Sequence, residues 1–413
     1  MSQPQQVQPP HQAEPPALGR PPAAGRAKAY AQGLTALLAV YLFIAAINLM
    51  GHGLKTVAKV PQSKAHLDKA FALAEHPLAG LCVGVLITSL VQSSSFTTSF
   101  TVGLVAAGQM SLATAIPIVM GANIGTSVTN TLVSLVHLRR RGEFRRSLGG
   151  AIVHDFFNVL AVMVLLPLEV GFGLISRPAK ALAGWLGGAA FFTPHPRKFN
   201  LVKQAVVPLA RGCDALLQGW LGLSKTVAGA ATAVLAVALL LVALVILVKM
   251  LQGLLRDRLS GLFSRTLFRN GATAFVVGLL TTAAIQSSSV TTSLVVPLVG
   301  AGVLTLPQIF PYTLGANIGT TVTAILAALA AAALAASAGP AVQAAAGAGL
   351  AVAFGHLLFN VFGTCIFWPA KWIPISLASG FAKRAAKRRL LAAAYILVIF
   401  FVLPIVVIVL VNR

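Results

Sequence analysis

The chain has 413 residues, of which 57% are hydrophobic and 9% charged, whereas soluble domains carry about 25% charged residues. With a mean hydropathy of +0.87, a soluble globule is excluded, because it would expose large apolar patches, and a polytopic membrane protein fits. The net charge of +23 is no nucleic-acid signature, because Lys and Arg lie in the N-terminal tail or between the apolar segments, as membrane topology requires.

Taken in chain order, residues 1–30 are rich in Pro, Gln and Ala and read as a disordered tail. The first apolar stretch, Leu34–Met50, is expected to be a retained span and not a cleaved signal. Further apolar stretches run at 77–108, 112–138, 148–176, 227–252, 271–302, 304–336, 347–369 and 390–411. A crossing needs ~20 apolar residues. The stretches at 77–108 and 271–302 are each interrupted by a polar cluster. A re-entrant hairpin explains that break better than a straight span, since unwound backbone is tolerated in a membrane only against protein or a water-filled cavity. Cys82, Cys213 and Cys365 are scattered, form no CxxC and read as packing residues.

The two interrupted stretches are copies of one another. Gln92-Ser93-Ser94-Ser95 returns as Gln286-Ser287-Ser288-Ser289, and Gly121-Ala122-Asn123-Ile124-Gly125-Thr126 returns as Gly315-Ala316-Asn317-Ile318-Gly319-Thr320, both at a shift of 194. Across 92–129 against 286–323, 22 of 38 positions are identical without a gap. Further on, His154-Asp155-Phe156-Phe157-Asn158 answers His356-Leu357-Leu358-Phe359-Asn360 at a shift of 202. A unit of several spans has been duplicated.

Each unit reads as a span, a hairpin and two spans, an odd number of crossings that predicts an inverted second copy. Arg139, Arg140, Arg141, Arg145 and Arg146 crowd one loop of the first unit, whereas the matching 335–346 loop carries no charge. By the positive-inside rule the first loop is cytoplasmic and the second external. The expected architecture is all-α and polytopic, with two inverted-topology repeats, each holding a broken helix that carries QSSS. The expected segments are a tail (1–30), a first repeat (31–176), an external linker (177–226), an inverted second repeat (227–370), and a basic cytoplasmic segment with a C-terminal span (371–413). Inverted repeats are the architecture of secondary transporters, whose site lies at the repeat interface near the midplane.

Three serines at a helix start present N–H and O–H donors to an anion, and the helix dipole adds favourable potential. Two such ends meeting would cradle an oxyanion such as phosphate without a membrane-embedded Lys or Arg. Gln, Asn, Ser and Thr oxygens also suit Na⁺, and ionisable groups inside the spans are few, which favours sodium over proton coupling. The bland reading of QSSS is a polar patch bonded to its own helix, and of Gly121/Gly125 and Gly315/Gly319 close helix packing. The His and Asn pairs could simply bridge helices. Asp155, whose counterpart is Leu357, is either paired with a cation or functional in one half only.

The run Ile116-Pro117-Ile118-Val119-Met120 into GANIGTSVTN, the HDFFN block, QSSSVTTS and TLGANIGTTVTAILAAL resemble the type II sodium-dependent phosphate cotransporters across roughly 34–411. The resemblance implies symport of inorganic phosphate with Na⁺ across the plasma or inner membrane, with no enzymatic activity. It implies that Ser93, Ser94, Ser95, Ser287, Ser288 and Ser289 hold phosphate. It further implies that Gln92, Asn123, Thr129, Gln286, Asn317 and Thr323 serve the sodium sites and position the serines. A short linker and an end at Arg413 are expected of a bacterial member. The alternatives are a sodium symporter for sulfate or a carboxylate and, in a different class, an intramembrane serine hydrolase using a QSSS serine with His154 or His356.

Overall fold

The computed structural model describes residues 23–188, 201–262, 268–336 and 338–413, and all regular structure among them is helical. Helix α1 (Ala23–Ala58) starts inside the stretch read as tail, directly after Pro21 and Pro22, where an alanine-rich run favours helix. Residues 1–22 lie outside the described residues. After α2 (Pro61–Ala72), the first interrupted stretch forms α3 (Pro77–Val91) and α4 (Ser94–Ala106). At 15 and 13 residues, these extend about 22 and 20 Å at the helical rise, too short for a hydrocarbon core of ~30 Å. Helices α5 (Leu112–Gly125) and α6 (Ser127–Ser134) run on as one apolar span, followed by α7 (Arg141–Phe172).

The 177–226 stretch is not a plain linker. It holds most of α8 (Ser176–Gly188) and all of α9 (Leu201–Asp214), and α9 buries Val206 and Ala210. Tyr41 of α1 donates to the Ala205 carbonyl at 3.2 Å, and His52 of α1 meets Asp214 at 2.8 Å. Both helices are amphipathic, so neither produces the long apolar run by which spans are recognised.

The second unit repeats the order. Long α10 (Lys225–Leu262) is followed by short α11 (Gly271–Ile285) and α12 (Ser288–Gly300), then α13 (Leu306–Ala335) and α14 (Pro340–Phe367). Helix α15 (Trp372–Lys387) packs along α7. The chain closes with α16 (Leu390–Leu397) and α17 (Leu403–Val411), joined by a π-helical turn into one span. Among the described residues, seven helices are long and apolar enough to cross a membrane.

The duplication extends to the packing. Helix α3 lies so close to α5 that a Cβ at Gly84 would sit 2.0 Å from the Ile118 carbonyl oxygen, and one at Gly121 would sit 1.9 Å from that of Leu81. Helix α11 meets α13 in the same way: Gly278 faces the Tyr312 carbonyl at 2.1 Å and Gly315 that of Phe275 at 2.0 Å. Every partner is shifted by 194. These approaches fix each broken helix against the span that carries GANIG, as small residues do between helices in lipid.

Phe157 on α7 ties the halves together. Its ring packs edge-on against Phe310 and Phe367, each at 6.1 Å, and holds α7 against α13 and α14.

Alanine at Gly84 or Gly278 is expected to destabilise the protein by about 1–3 kcal/mol, the usual cost of overpacking. Alanine at Gly184, which has nothing within 4 Å, is expected to be neutral. Thermal unfolding in detergent, followed by size-exclusion chromatography, measures the difference.

Candidate functional site

Both polar clusters break their helix with one backbone device. Gln92 ends α3 at φ 58°, ψ 29° and Gln286 ends α11 at φ 60°, ψ 23°. They are the two non-glycine residues with positive φ among the described residues. That conformation is disfavoured for a side chain with a Cβ and is held where the surroundings enforce it. The next residue is extended in each copy, Ser93 at φ −149°, ψ 103° and Ser287 at φ −148°, ψ 107°, and a new helix starts.

Ser93 and Ser287 are the N-caps of α4 and α12. Their Oγ atoms accept the Phe96 and Val290 amides at 3.1 and 3.4 Å, so of the six serines these two are partly committed to the fold. The amides of Ser94, Ser95, Ser288 and Ser289 occupy the first helical positions, whose N–H groups have no intrahelical acceptor. Among the described residues nothing else accepts them. The hydroxyls of Ser94, Ser288 and Ser289 also make no hydrogen bond there, while Ser95 Oγ donates to the Gln286 carbonyl at 2.9 Å. This last bond brings the two clusters into direct contact across 191 residues of sequence. Two helix N-termini therefore meet with uncommitted donors, and no Lys or Arg is buried among the described residues.

The glutamines reach to the helices behind them. Thr129 Oγ1 donates to Gln92 Oε1 at 2.7 Å and Thr323 Oγ1 to Gln286 Oε1 at 3.0 Å, again at a shift of 194. Each pair sets two neutral oxygens side by side. Gln286 is buried, whereas Gln92 is exposed.

The asparagines of GANIG lie elsewhere, in a seam that exchanges partners between the repeats. Asn317 Oδ1 bonds His154 Nε2, and Asn123 Oδ1 bonds His356 Nε2 at 3.3 Å. Asn317 Nδ2 donates to Asn158 Oδ1 at 2.9 Å, and Asn360 Nδ2 to Asn123 Oδ1 at 3.4 Å. The amide oxygens assigned to sodium by resemblance are thus occupied by protein donors. The helical spacing of His154 with Asn158, and of His356 with Asn360, was the available signal; that each pair would address the other repeat was not readable.

The copies also differ. Asn130 on α6 accepts from Ser293 Oγ at 2.9 Å and donates to Thr292 Oγ1 at 2.8 Å, clamping α12. Its counterpart is Ala324, and the corresponding Ser99 hydroxyl is buried without a partner. Asp155 Oδ2 accepts from Tyr395 of α16 at 3.1 Å, while Oδ1 is buried without a partner. Its partner is thus a phenol from beyond the second repeat and not a cation. Neither histidine bonds a QSSS serine: His154 Nδ1 faces Ser127 at 3.3 Å, and His356 Nδ1 is unpartnered. No group of three or more His, Cys, Asp or Glu side chains placed to hold a metal ion occurs among the described residues.

A sequence profile of the Na⁺/Pi-cotransporter family matches residues 42–182 and 239–368, two blocks that contain both broken helices. Sodium-dependent phosphate transport protein 2A of Ovis aries is 34% identical, over 84% of this chain and 63% of its own length. The 2A protein of Rattus norvegicus is 34% identical over 84% and 62%. Sodium-dependent phosphate transport protein 2B of Homo sapiens is 31% identical over 84% and 60%. The chain therefore spans about 60–63% of the length of these relatives. No solved structure matches it. With more than half of its length inside the two matched blocks, the chain belongs to the Na⁺/Pi-cotransporter family.

Proposed function

We propose that the chain is a sodium-coupled symporter that imports inorganic phosphate across the cell membrane by alternating access. The observation that carries this reading is the meeting of two helix N-termini with four uncommitted amides and three uncommitted hydroxyls. Such an arrangement suits an anion, because N–H groups and helix dipoles converge on it. The named activity of the relatives supports sodium and phosphate as the cargo.

On this reading phosphate binds to the amides and hydroxyls of Ser94, Ser95, Ser288 and Ser289, while Ser93 and Ser287 set the helix starts. The Gln92–Thr129 and Gln286–Thr323 oxygen pairs take sodium. Asn123 and Asn317, whose side-chain oxygens face protein donors as those of Gln92 and Gln286 do, complete the proposed sodium set and position the seam. The two repeats are inverted, with the basic start of α7, 139–146, in the cytoplasm. The exposure of Gln92 against the burial of Gln286 supports one half being open while the other is closed.

A hydrolase reading lacks support, since nucleophilic serine chemistry needs a base in hydrogen-bond reach of the serine, and both histidines are turned toward asparagines. Sulfate is the closer competitor.

Radiolabelled phosphate uptake into proteoliposomes is expected to require an inward Na⁺ gradient and to resist a sulfate excess. Equal uptake under a K⁺ gradient would overturn the proposal.

Ser94→Ala and Ser288→Ala each remove one donor to a charged ligand, a contact of about 1.5–3 kcal/mol. The apparent phosphate affinity should therefore fall about tenfold or more in each, with protein yield unchanged.

Gln286→Ala and Thr323→Ala should raise the Na⁺ concentration for half-maximal uptake by a similar factor, about tenfold. The KM for phosphate at saturating Na⁺ should move less, and a larger shift in phosphate than in sodium dependence would reverse the assignment.

A further inference from the structure

A cavity with a basic rim lies at the end of the molecule that carries the start of α7. It has a volume of about 310 Å³ and is lined by Arg145, Arg146, Gly149, Leu306, Ser379 and Lys383. Three cations from α7 and α15 thus face one space, with a hydroxyl beside them and an apolar floor. No carboxylate lines it, and the nearest in sequence, Glu143, is taken by Arg140 at 2.9 Å.

The side chains are set for a ligand and not for one another. Arg146 is oriented by its Nε, which donates to the Gly300 carbonyl at the end of α12 at 2.8 Å. This leaves its two terminal nitrogens without an acceptor among the described residues. Arg145 and Lys383 likewise have no hydrogen-bonding or ionic partner there. A planar guanidinium held at Nε presents its remaining donors in the geometry that suits phosphate oxygens.

Helix α15 sets the depth of the cavity. It buries Pro374, Ala378, Ala382, Ala385 and Ala386 on one face, exposes Trp372 at its start, and exposes Lys383, Arg384 and Lys387 toward its end. Its buried face packs along α7, so the exposed cationic face is left on the outside beside the start of that span. Arg141 Nε, donating to the Ala386 carbonyl at 3.2 Å, fastens its C-terminal end to the basic turn. The cavity lies where the apolar run of α7 begins, with Gly149 and Leu306 beside the basic side chains, which is where the phosphates of a bilayer would meet it.

We infer that this cavity binds a phosphate oxyanion, that of an anionic phospholipid headgroup, between Arg145, Arg146 and Lys383. Basic pockets between spans at the interface take such headgroups. The bound lipid would pin α15 to α7 and to the start of α13.

Native mass spectrometry of the full chain in detergent tests this, with phosphatidylglycerol, phosphatidylcholine and inorganic phosphate as separate additions. The unaltered protein is expected to retain phosphatidylglycerol at concentrations where phosphatidylcholine is lost. Arg145→Gln combined with Lys383→Gln should lower that retention about tenfold, and Lys387→Gln, off the cavity, should leave it unchanged. If the double variant does not purify as a single species, Arg145→Gln alone, at an exposed position, gives the same readout. Displacement of the lipid by inorganic phosphate, dependent on Arg145 and Lys383, would support the oxyanion site and name the free anion as an occupant. Equal retention of both lipids, or retention indifferent to Arg145 and Lys383 with phosphate without effect, would overturn the inference.

Discussion

A helix that stops inside a hydrocarbon layer strands its terminal amides and carbonyls, and each must find a partner or define a site. This chain breaks a helix twice, at Gln92 and at Gln286, in the segments proposed to re-enter the membrane, and the packing around them supports the two breaks. The glycine approaches of α3 to α5 and of α11 to α13 hold one face of each short helix tightly against protein. The N-caps Ser93 and Ser287 use one donor at each new start, and the next amides have no acceptor among the described residues.

On the proposed reading, neutral groups hold a dianion that has to be released. An embedded lysine or arginine would bind phosphate strongly and would itself need a counter-charge when the site empties, since an unpaired buried cation is costly. Hydroxyls, amides and helix ends carry no such penalty in the empty state. The basic residues lie at or beyond the ends of the apolar helices and, at Arg145, Arg146 and Lys383, line a cavity of their own.

Much of this was legible in the sequence because it was written twice. The breaks followed from polar clusters in otherwise apolar stretches, and their importance followed from recurrence at 194 residues. Features with a single copy, or with partners from different units, were not legible. The clamp of Asn130 on Thr292 and Ser293 has no echo, because Ala324 stands opposite. Tyr395, the partner of Asp155, lies outside both repeats. The exchange between His154 and Asn317 and between His356 and Asn123 depends on how two units face each other, which spacing within one unit does not contain. Helices α8 and α9 escaped notice because amphipathic segments lack the uniform hydrophobicity that marks a span.

The Asn130 clamp has an energetic consequence for the proposed cycle. If the inward-facing and outward-facing forms arise by the two halves trading conformations, perfectly matched halves would make the forms equal in free energy at zero gradient. The bonds of Asn130 to α12 have no equivalent on α4, so trading conformations does not return the molecule to an equivalent state. On that reading the empty carrier would have a preferred facing, built in before any ion gradient acts, and the return stroke without cargo would work against or with that bias.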